Sequence, residues 1–301
     1  MVYFDVHPNS VERLPFTLTE SSVLAVIPAR FQATRLPGKL LADIAGRPMI
    51  EHVYRRASAA SHVHAVIVAT DDERIADAVH SFGGAALMTR ADHVSGTDRI
   101  AEVVRQLPCR AIVNLQGDEP LTDPETIDAA VAPMLADPSL EMTTVSRPFS
   151  SIEEFNSPHV VKVVTDLFGN ALYFSRAPIP FPFALRATGD KASASELALP
   201  ASARAHVGLY VYRRDTLLKL AALPPAPLER EESLEQLRAL AHGIRIRVVE
   251  TRHAAAGVDT AEDLTRVRSA FRSLKPSDEL RAVPRSPALL LAERRGATDQ
   301  Q

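Results

Sequence analysis

Val23-Leu24-Ala25-Val26-Ile27-Pro28-Ala29-Arg30-Phe31-Gln32-Ala33-Thr34-Arg35-Leu36-Pro37-Gly38-Lys39 opens as a short apolar run and breaks into a loop carrying three cations. An uninterrupted apolar run of this length, ended by proline, reads as a strand buried on both faces. Working outward, the pattern predicts a helix over 49–60, a strand over 65–69, a helix over 73–82, a strand over 85–88 and a helix over 97–105. A strand over 111–115 and a helix over 124–135 follow. Continuous apolar strands separated by helices predict an α/β fold with a parallel sheet covered on both faces. Ligands of such sheets gather at the carboxyl ends of the strands. Here those ends are Pro28-Ala29-Arg30, Thr70-Asp71-Asp72 and Gln116-Gly117-Asp118-Glu119, three polar loops on one rim.

Beyond residue 142 the rhythm changes. Strands are expected over 160–165 and 171–174, a proline-rich span over 178–182, an exposed loop over 186–202 and a strand over 206–212. Helices over 214–220 and 229–242, a strand over 244–249 and a helix over 260–274 complete the folded part. This divides the chain into an extension (1–21), a main domain (22–274) with a subregion at about 147–212, and a tail (275–301). With 301 residues and 46% hydrophobic composition, the chain can bury one sizeable core. A formal charge of -3 disfavours a broad nucleic-acid footprint or a polybasic membrane contact, so any anion site must be local. The single cysteine, Cys109, forms no internal disulfide, and no leader or membrane span is expected, so a cytoplasmic location is expected.

Three constellations carry chemistry. In the loop over 28–39, Arg30 and Arg35 offer forked donors for phosphate oxygens and Lys39 a mobile point charge, while Gly38 permits close backbone approach. The leading glycine of a Walker loop is missing, and Leu40 stands where that motif needs Ser or Thr. From spacing alone, a solvated basic loop is an equal reading. Next, Asp118 emerges from an apolar strand with oxygens suited to Mg²⁺. Asp259 is either a second ligand or the cap of the following helix, and Glu119, Asp123, Asp71 and Asp72 read as turn or capping residues. Finally, Ser95, Gly96 and Thr97 enter a helix, either as its cap or as nucleotide contacts. His62 and His64 have no third ligand nearby and read as an exposed strand entry.

Taken together, IPARFQATRLPGK (27–39), MTRADHVSGTDR (88–99), VNLQGDEP (113–120), ALYFSRAPIP (171–180), LEQLR (234–238) and GVDTAEDL (257–264) resemble the 3-deoxy-manno-octulosonate (KDO) cytidylyltransferases, in matching order. The resemblance implies a nucleotidyltransferase-type, Rossmann-like fold with a mixed, mainly parallel sheet, flanking helices and a smaller dimerisation and sugar-binding region. It also implies a homodimer, Mg²⁺ dependence, CTP and KDO as substrates, and a place in lipopolysaccharide synthesis. Residue by residue, it sets Arg30, Arg35, Lys39, Ser95, Gly96, Thr97 and Gln116 against CTP, with Gln116 also near the reacting sugar. Asp118 and Asp259 become the metal ligands, and Arg176, His206, Glu232 and Gln236 the sugar contacts, the last two expected one turn apart on a single helix. An 8-amino analogue of KDO, sialic acid, or a non-catalytic nucleotide-binding role stays open on these residues.

Overall fold

The computed structural model describes residues 14–32, 36–181, 199–252 and 257–273. These divide into two compact units: the first comprises the described residues up to Asp128 together with those from Gly257, and the second comprises those from Ala129 to Arg252.

The first unit begins with β1 (Val23–Ala29), which is buried at every position but Pro28. A 3₁₀ turn at Lys39–Leu41 and a small hairpin, β2 (Asp43–Ile44) and β3 (Arg47–Pro48), lead into α1 (Met49–Ala59). Then come β4 (Ala65–Thr70), α2 (Glu73–Ser81), β5 (Ala85–Met88), α3 (Gly96–Val104) and β6 (Ala111–Asn114), followed by α4 (Pro124–Ala136), in which the boundary between the units falls. β1 pairs in parallel with β4 on one side and β6 on the other, and β4 pairs in parallel with β5. The strand order β6-β1-β4-β5 therefore reverses its winding direction at β1. Chains leaving β1 and β6 diverge, and a crevice opens at their carboxyl ends. Both end in the polar loops singled out above.

The second unit is mixed. It contains β7 (Met142–Arg147), α5 (Ile152–Asn156), β8 (Lys162–Thr165), β9 (Ala171–Ser175), β10 (Arg204–Arg213), α6 (Arg214–Ala222), α7 (Pro227–Glu232), α8 (Gln236–Ala241) and β11 (Ile246–Glu250). β7 pairs in parallel with β11 and antiparallel with β10, which pairs antiparallel with β8, and β8 with β9. A bulge displaces the β10 register between Val207 and Tyr210. Phe149, Phe155, Ala203 and Ala205 form a satellite core here.

The chain then returns to the first unit with α9 (Ala261–Ser273), whose Leu264, Val267 and Phe271 pack with Ile44, Met49 and Val258. No helix among the described residues is long and apolar enough to cross a membrane.

Two differences from the expected elements have physical causes. β7 reads poorly as a strand because it buries Thr143, Thr144 and Ser146, and Thr143 satisfies its hydroxyl by donating to the Ala130 carbonyl at 2.7 Å. The single helix expected over 229–242 is instead α7 and α8, broken at Ser233, whose φ of 52° lies in the left-handed region. Glu232 and Gln236 therefore belong to separate helices, which corrects the expectation that they share one. His64 is exposed at the entry to β4, as expected, and also accepts the Val23 N–H at 3.1 Å.

Candidate active site

Lys39 is the centre of the site because the local sequence leaves it one place to point. Gly38 adopts φ 68°, and its N–H donates to the Phe31 carbonyl at 3.1 Å, closing the loop that follows β1. A Cβ at Gly38 would also meet the Phe31 ring at 3.1 Å, so glycine is needed there for both conformation and space. The 3₁₀ turn then buries Leu40 against Gly117, where an added Cβ would lie 3.2 Å from Leu40 and 3.5 Å from Ile27. Leu40 thus packs the turn against the loop after β6, and Lys39 faces Asp118.

The Lys39 ammonium makes three hydrogen bonds: to Asp118 Oδ2 at 2.6 Å, to the Val258 carbonyl at 2.9 Å and to Asp259 Oδ1 at 3.1 Å. Val258 N–H in turn donates to the Asp118 carbonyl at 2.9 Å. Burial works against the ammonium's charge, but Asp118 and then Asp259 outweigh it and hold the Lys39 pKa above its usual value. Next to Asp118, Glu119 keeps some of its surface exposed, yet its carboxyl is enclosed. Burial and the Asp118 charge push it up to about 7, opposed by a hydrogen bond from Thr122.

The capping question resolves cleanly for several acids. Thr260 caps α9 by accepting from Asp263 N–H, leaving the Asp259 carboxylate on Lys39. Asp72 caps α2 and Asp123 caps α4. Asp71 instead faces the fully buried Arg99 at 3.1 Å. Among the described residues no cluster of three or more metal-type ligands is assembled. Asp118 and Asp259 supply two carboxylates, which is what Mg²⁺ commonly takes from a protein when substrate phosphates and water complete its shell.

Arg30, at the end of β1, donates to the carbonyls of His93 and Ser95, the latter at 3.3 Å, and so ties the loop before α3 to the strand. Ser95 is the cap of α3: its Oγ accepts from Asp98 N–H at 3.1 Å while Asp98 accepts from Ser95 N–H at 3.2 Å. Gly96 opens the helix against Pro28, where a Cβ would meet the proline ring at 3.2 Å, and Thr97 is buried. Gln116 donates to Asn114 at 3.2 Å. A cleft of about 220 Å³ is lined by Pro28, Arg30, Gln32, Lys39, Leu40, Gly96, Gln116, Gly117 and Asp118. It combines cations, a helix N-terminus and a carboxylate, the groups that grip and orient a polyphosphate. Arg35 lies outside the described residues, as do the tail over 275–301 and most of the loop expected over 186–202.

In the second unit, Arg176 and Glu232 interlock. The Glu232 carboxylate accepts from Ser175 Oγ at 2.6 Å and Arg176 N–H at 2.8 Å, and Arg176 donates through its guanidinium to the Glu232 and Pro158 carbonyls at 2.8 and 3.0 Å. Burial would raise the Glu232 pKa, but these bonds, that from the Arg176 amide foremost, hold it below the usual range. The fully buried Lys162 donates to the Ser157 and Arg176 carbonyls at 2.6 and 2.8 Å, fixing the backbone from which Arg176 projects. Gln236 is buried at the start of α8.

His206 lies 2.9 Å from Thr144 Oγ1, between the rings of Phe174 and Tyr210. Thr144 commits its one proton to the Leu209 carbonyl at 2.9 Å, a carbonyl supplied by the β10 bulge. The tautomer in which Nε2 of His206 donates to Thr144 is compatible with that bond and gives Nδ1 a lone pair. Burial pushes this imidazole down to about 3, so it is neutral at physiological pH.

Sequence reasoning missed two supports of the site. One is the Arg74 guanidinium stacked 3.3 Å over the Phe31 ring and held by Asp72. The other is buried Arg99, detectable only as an arginine among the apolar positions of α3.

Residues 24–246 match the family model described as cytidylyltransferase. The chain is 54% identical over 253 residues to the 3-deoxy-manno-octulosonate cytidylyltransferase of Syntrophotalea carbinolica, covering 84% of this chain and all of that protein. It is also 54% identical to the Geobacter sulfurreducens protein of the same name, over 82% of this chain and 98% of that one. A solved structure of a CMP:2-keto-3-deoxy-manno-octonic acid synthetase complexed with CTP superposes with a TM-score of 0.77 at 44% identity, covering 84% of this chain and 99% of that chain. Loop, carboxylates, fold and relatives converge, and the chain belongs to the cytidylyltransferase family, among its 3-deoxy-manno-octulosonate cytidylyltransferases.

Proposed function

We propose that this enzyme transfers CMP from CTP to 3-deoxy-D-manno-octulosonate, releasing pyrophosphate and activating the sugar for lipopolysaccharide synthesis. The observation that carries this reading is the meeting of Lys39, Asp118 and Asp259 beside the cleft that holds Arg30, Gln116 and the start of α3. The sugar's anomeric 2-hydroxyl attacks the α-phosphorus in line. A new oxygen–phosphorus bond forms, the hydroxyl proton passes to water, and the bond to the β-phosphate oxygen breaks on the opposite side. Arg30, Arg35 and Lys39 take the charge of the departing pyrophosphate. Ser95, Gly96 and Thr97 face the nucleotide, and Gln116 the reacting centre. Asp118 and Asp259 hold Mg²⁺, which when bound neutralises phosphate charge and lowers the pKa of the attacking hydroxyl. Neutral His206 offers Nδ1 to a sugar hydroxyl, while Arg176, Glu232 and Gln236 contribute the remaining sugar contacts and the frame around them. A cytoplasmic homodimer, with the subregion at about 147–212 serving sugar binding and dimerisation, belongs to the same proposal.

A pyrophosphate-release assay offering KDO, its 8-amino analogue and sialic acid with CTP and Mg²⁺ tests it. Turnover should be fastest with KDO. Release only with another sugar would reassign the acceptor, and CTP binding without product from any sugar would refute catalysis.

A further inference from the structure

We propose that Lys39 competes with the divalent cation for the carboxylates of Asp118 and Asp259, and that a triphosphate in the cleft relieves this competition by taking the Lys39 ammonium. The inference rests on the proposed role of those two aspartates as the metal ligands.

Each carboxylate already has a cation at contact distance: Lys39 Nζ is 2.6 Å from Asp118 Oδ2 and 3.1 Å from Asp259 Oδ1. Mg²⁺ binds oxygen at about 2.0–2.1 Å. An ion shared by the same two carboxylate oxygens, Asp118 Oδ2 and Asp259 Oδ1, would have to occupy the place of the ammonium, and two positive centres do not fit there together. The third donor of Lys39 goes to the Val258 carbonyl at 2.9 Å, the residue before Asp259, so the ammonium is held as a tripod rather than drifting past the acids. It is also shielded, with the Lys39 side chain 13% exposed, which strengthens its hold relative to a surface pair.

The release route is built into the same cleft. Lys39 and Arg30 both line it, and a four-carbon stem lets the ammonium move while its backbone stays on the 3₁₀ turn. A triphosphate there offers Lys39 oxygens of higher charge than the two carboxylates and leaves those carboxylates to the cation. Metal entry is thereby coupled to nucleotide, and the cation's affinity without nucleotide is kept low.

Mn²⁺ serves as the probe, with free and bound ion distinguished by electron paramagnetic resonance on the full chain. Without nucleotide, K39M should bind Mn²⁺ roughly ten-fold or more tightly than wild type, because a unit charge has left the site. Adding D118N to K39M should abolish that gain. Equal Mn²⁺ affinity of wild type and K39M without nucleotide, alongside Asp118-dependent uptake by wild type with CTP, would overturn the competition while sparing the metal site. Mn²⁺ binding indifferent to D118N in every condition, CTP included, would overturn the metal-site reading and this inference with it. If circular dichroism shows K39M unfolded, K39Q reads the same quantity, since it removes the charge and keeps a donor for Val258.

Discussion

Acidification should destabilise this protein through His206, over a range in which the raised Glu119 carboxyl works in the opposite direction and is common to wild type and variant. The folded imidazole is pushed down to about 3, whereas in the unfolded chain it titrates near 6.5. Protonating it in the fold would put a charge between the Phe174 and Tyr210 rings, whose centroids lie 5.0 and 5.4 Å from that of His206. Between those two pKa values the unfolded chain binds a proton that the folded protein refuses, so stability falls as pH falls through the window. The slope approaches about 1.4 kcal/mol per pH unit below the unfolded pKa, so about 1.6 kcal/mol is lost between pH 6.5 and 5. Urea unfolding of wild type and His206→Gln at pH 7.5, 6.5, 5.75 and 5 isolates the effect, because glutamine keeps a donor for Thr144 but does not titrate. Other groups that ionise in this range, such as His52, are common to both proteins and cancel in the difference. Glu154, held down to about 2 mainly by its hydrogen bond from Arg147, loses its contribution only as pH falls below the usual carboxylate range toward 2. Parallel slopes for the two proteins between pH 6.5 and 5 would refute the reasoning.

Asp118→Asn should lower kcat at saturating CTP by roughly 10²–10³-fold while the circular dichroism spectrum is unchanged; near-normal turnover would take Asp118 out of the reacting centre. Gly38→Ala should cost about 1–2 kcal/mol in denaturant unfolding and raise KM for CTP, since a side chain at φ 68° also presses on Phe31 at 3.1 Å. An unchanged midpoint and KM would mean the loop closes some other way. Ser233→Gly should raise stability by about 0.5 kcal/mol, because φ 52° suits glycine better than serine. A clear loss would point instead to a contact made by the serine side chain.

The parallel half of the fold was legible because its strands are buried on both faces and therefore uniformly apolar, as in β1 and β4. β7 was not, since threonines sit in its buried positions and find their hydrogen-bond partners only in three dimensions. The break at Ser233 was hidden for a related reason: serine carries no glycine-like signal, and the helical pattern runs on across it. At the site, Lys39 and Asp118 were readable from strand-end loops, and the assignment of Asp259 needed the fold, because only there does Thr260 take the capping role. The environment of His206 was beyond the sequence altogether. Its neutral state depends on burial, and its tautomer on a bulge that turns the Leu209 carbonyl toward Thr144.

The bond from Lys39 to Asp259 spans 220 positions of the chain, and the one to Asp118 spans 79. During synthesis the lysine and its first partner emerge early, but the second partner follows about 140 residues later, on the order of ten to thirty seconds at ordinary translation speeds. Until then α9 is missing as well, so Ile44 and Met49 lack the apolar face that covers them in the finished protein. A growing or truncated chain therefore holds Lys39 and Asp118 without Asp259, and on the proposed function competence for chemistry arrives in one step with α9.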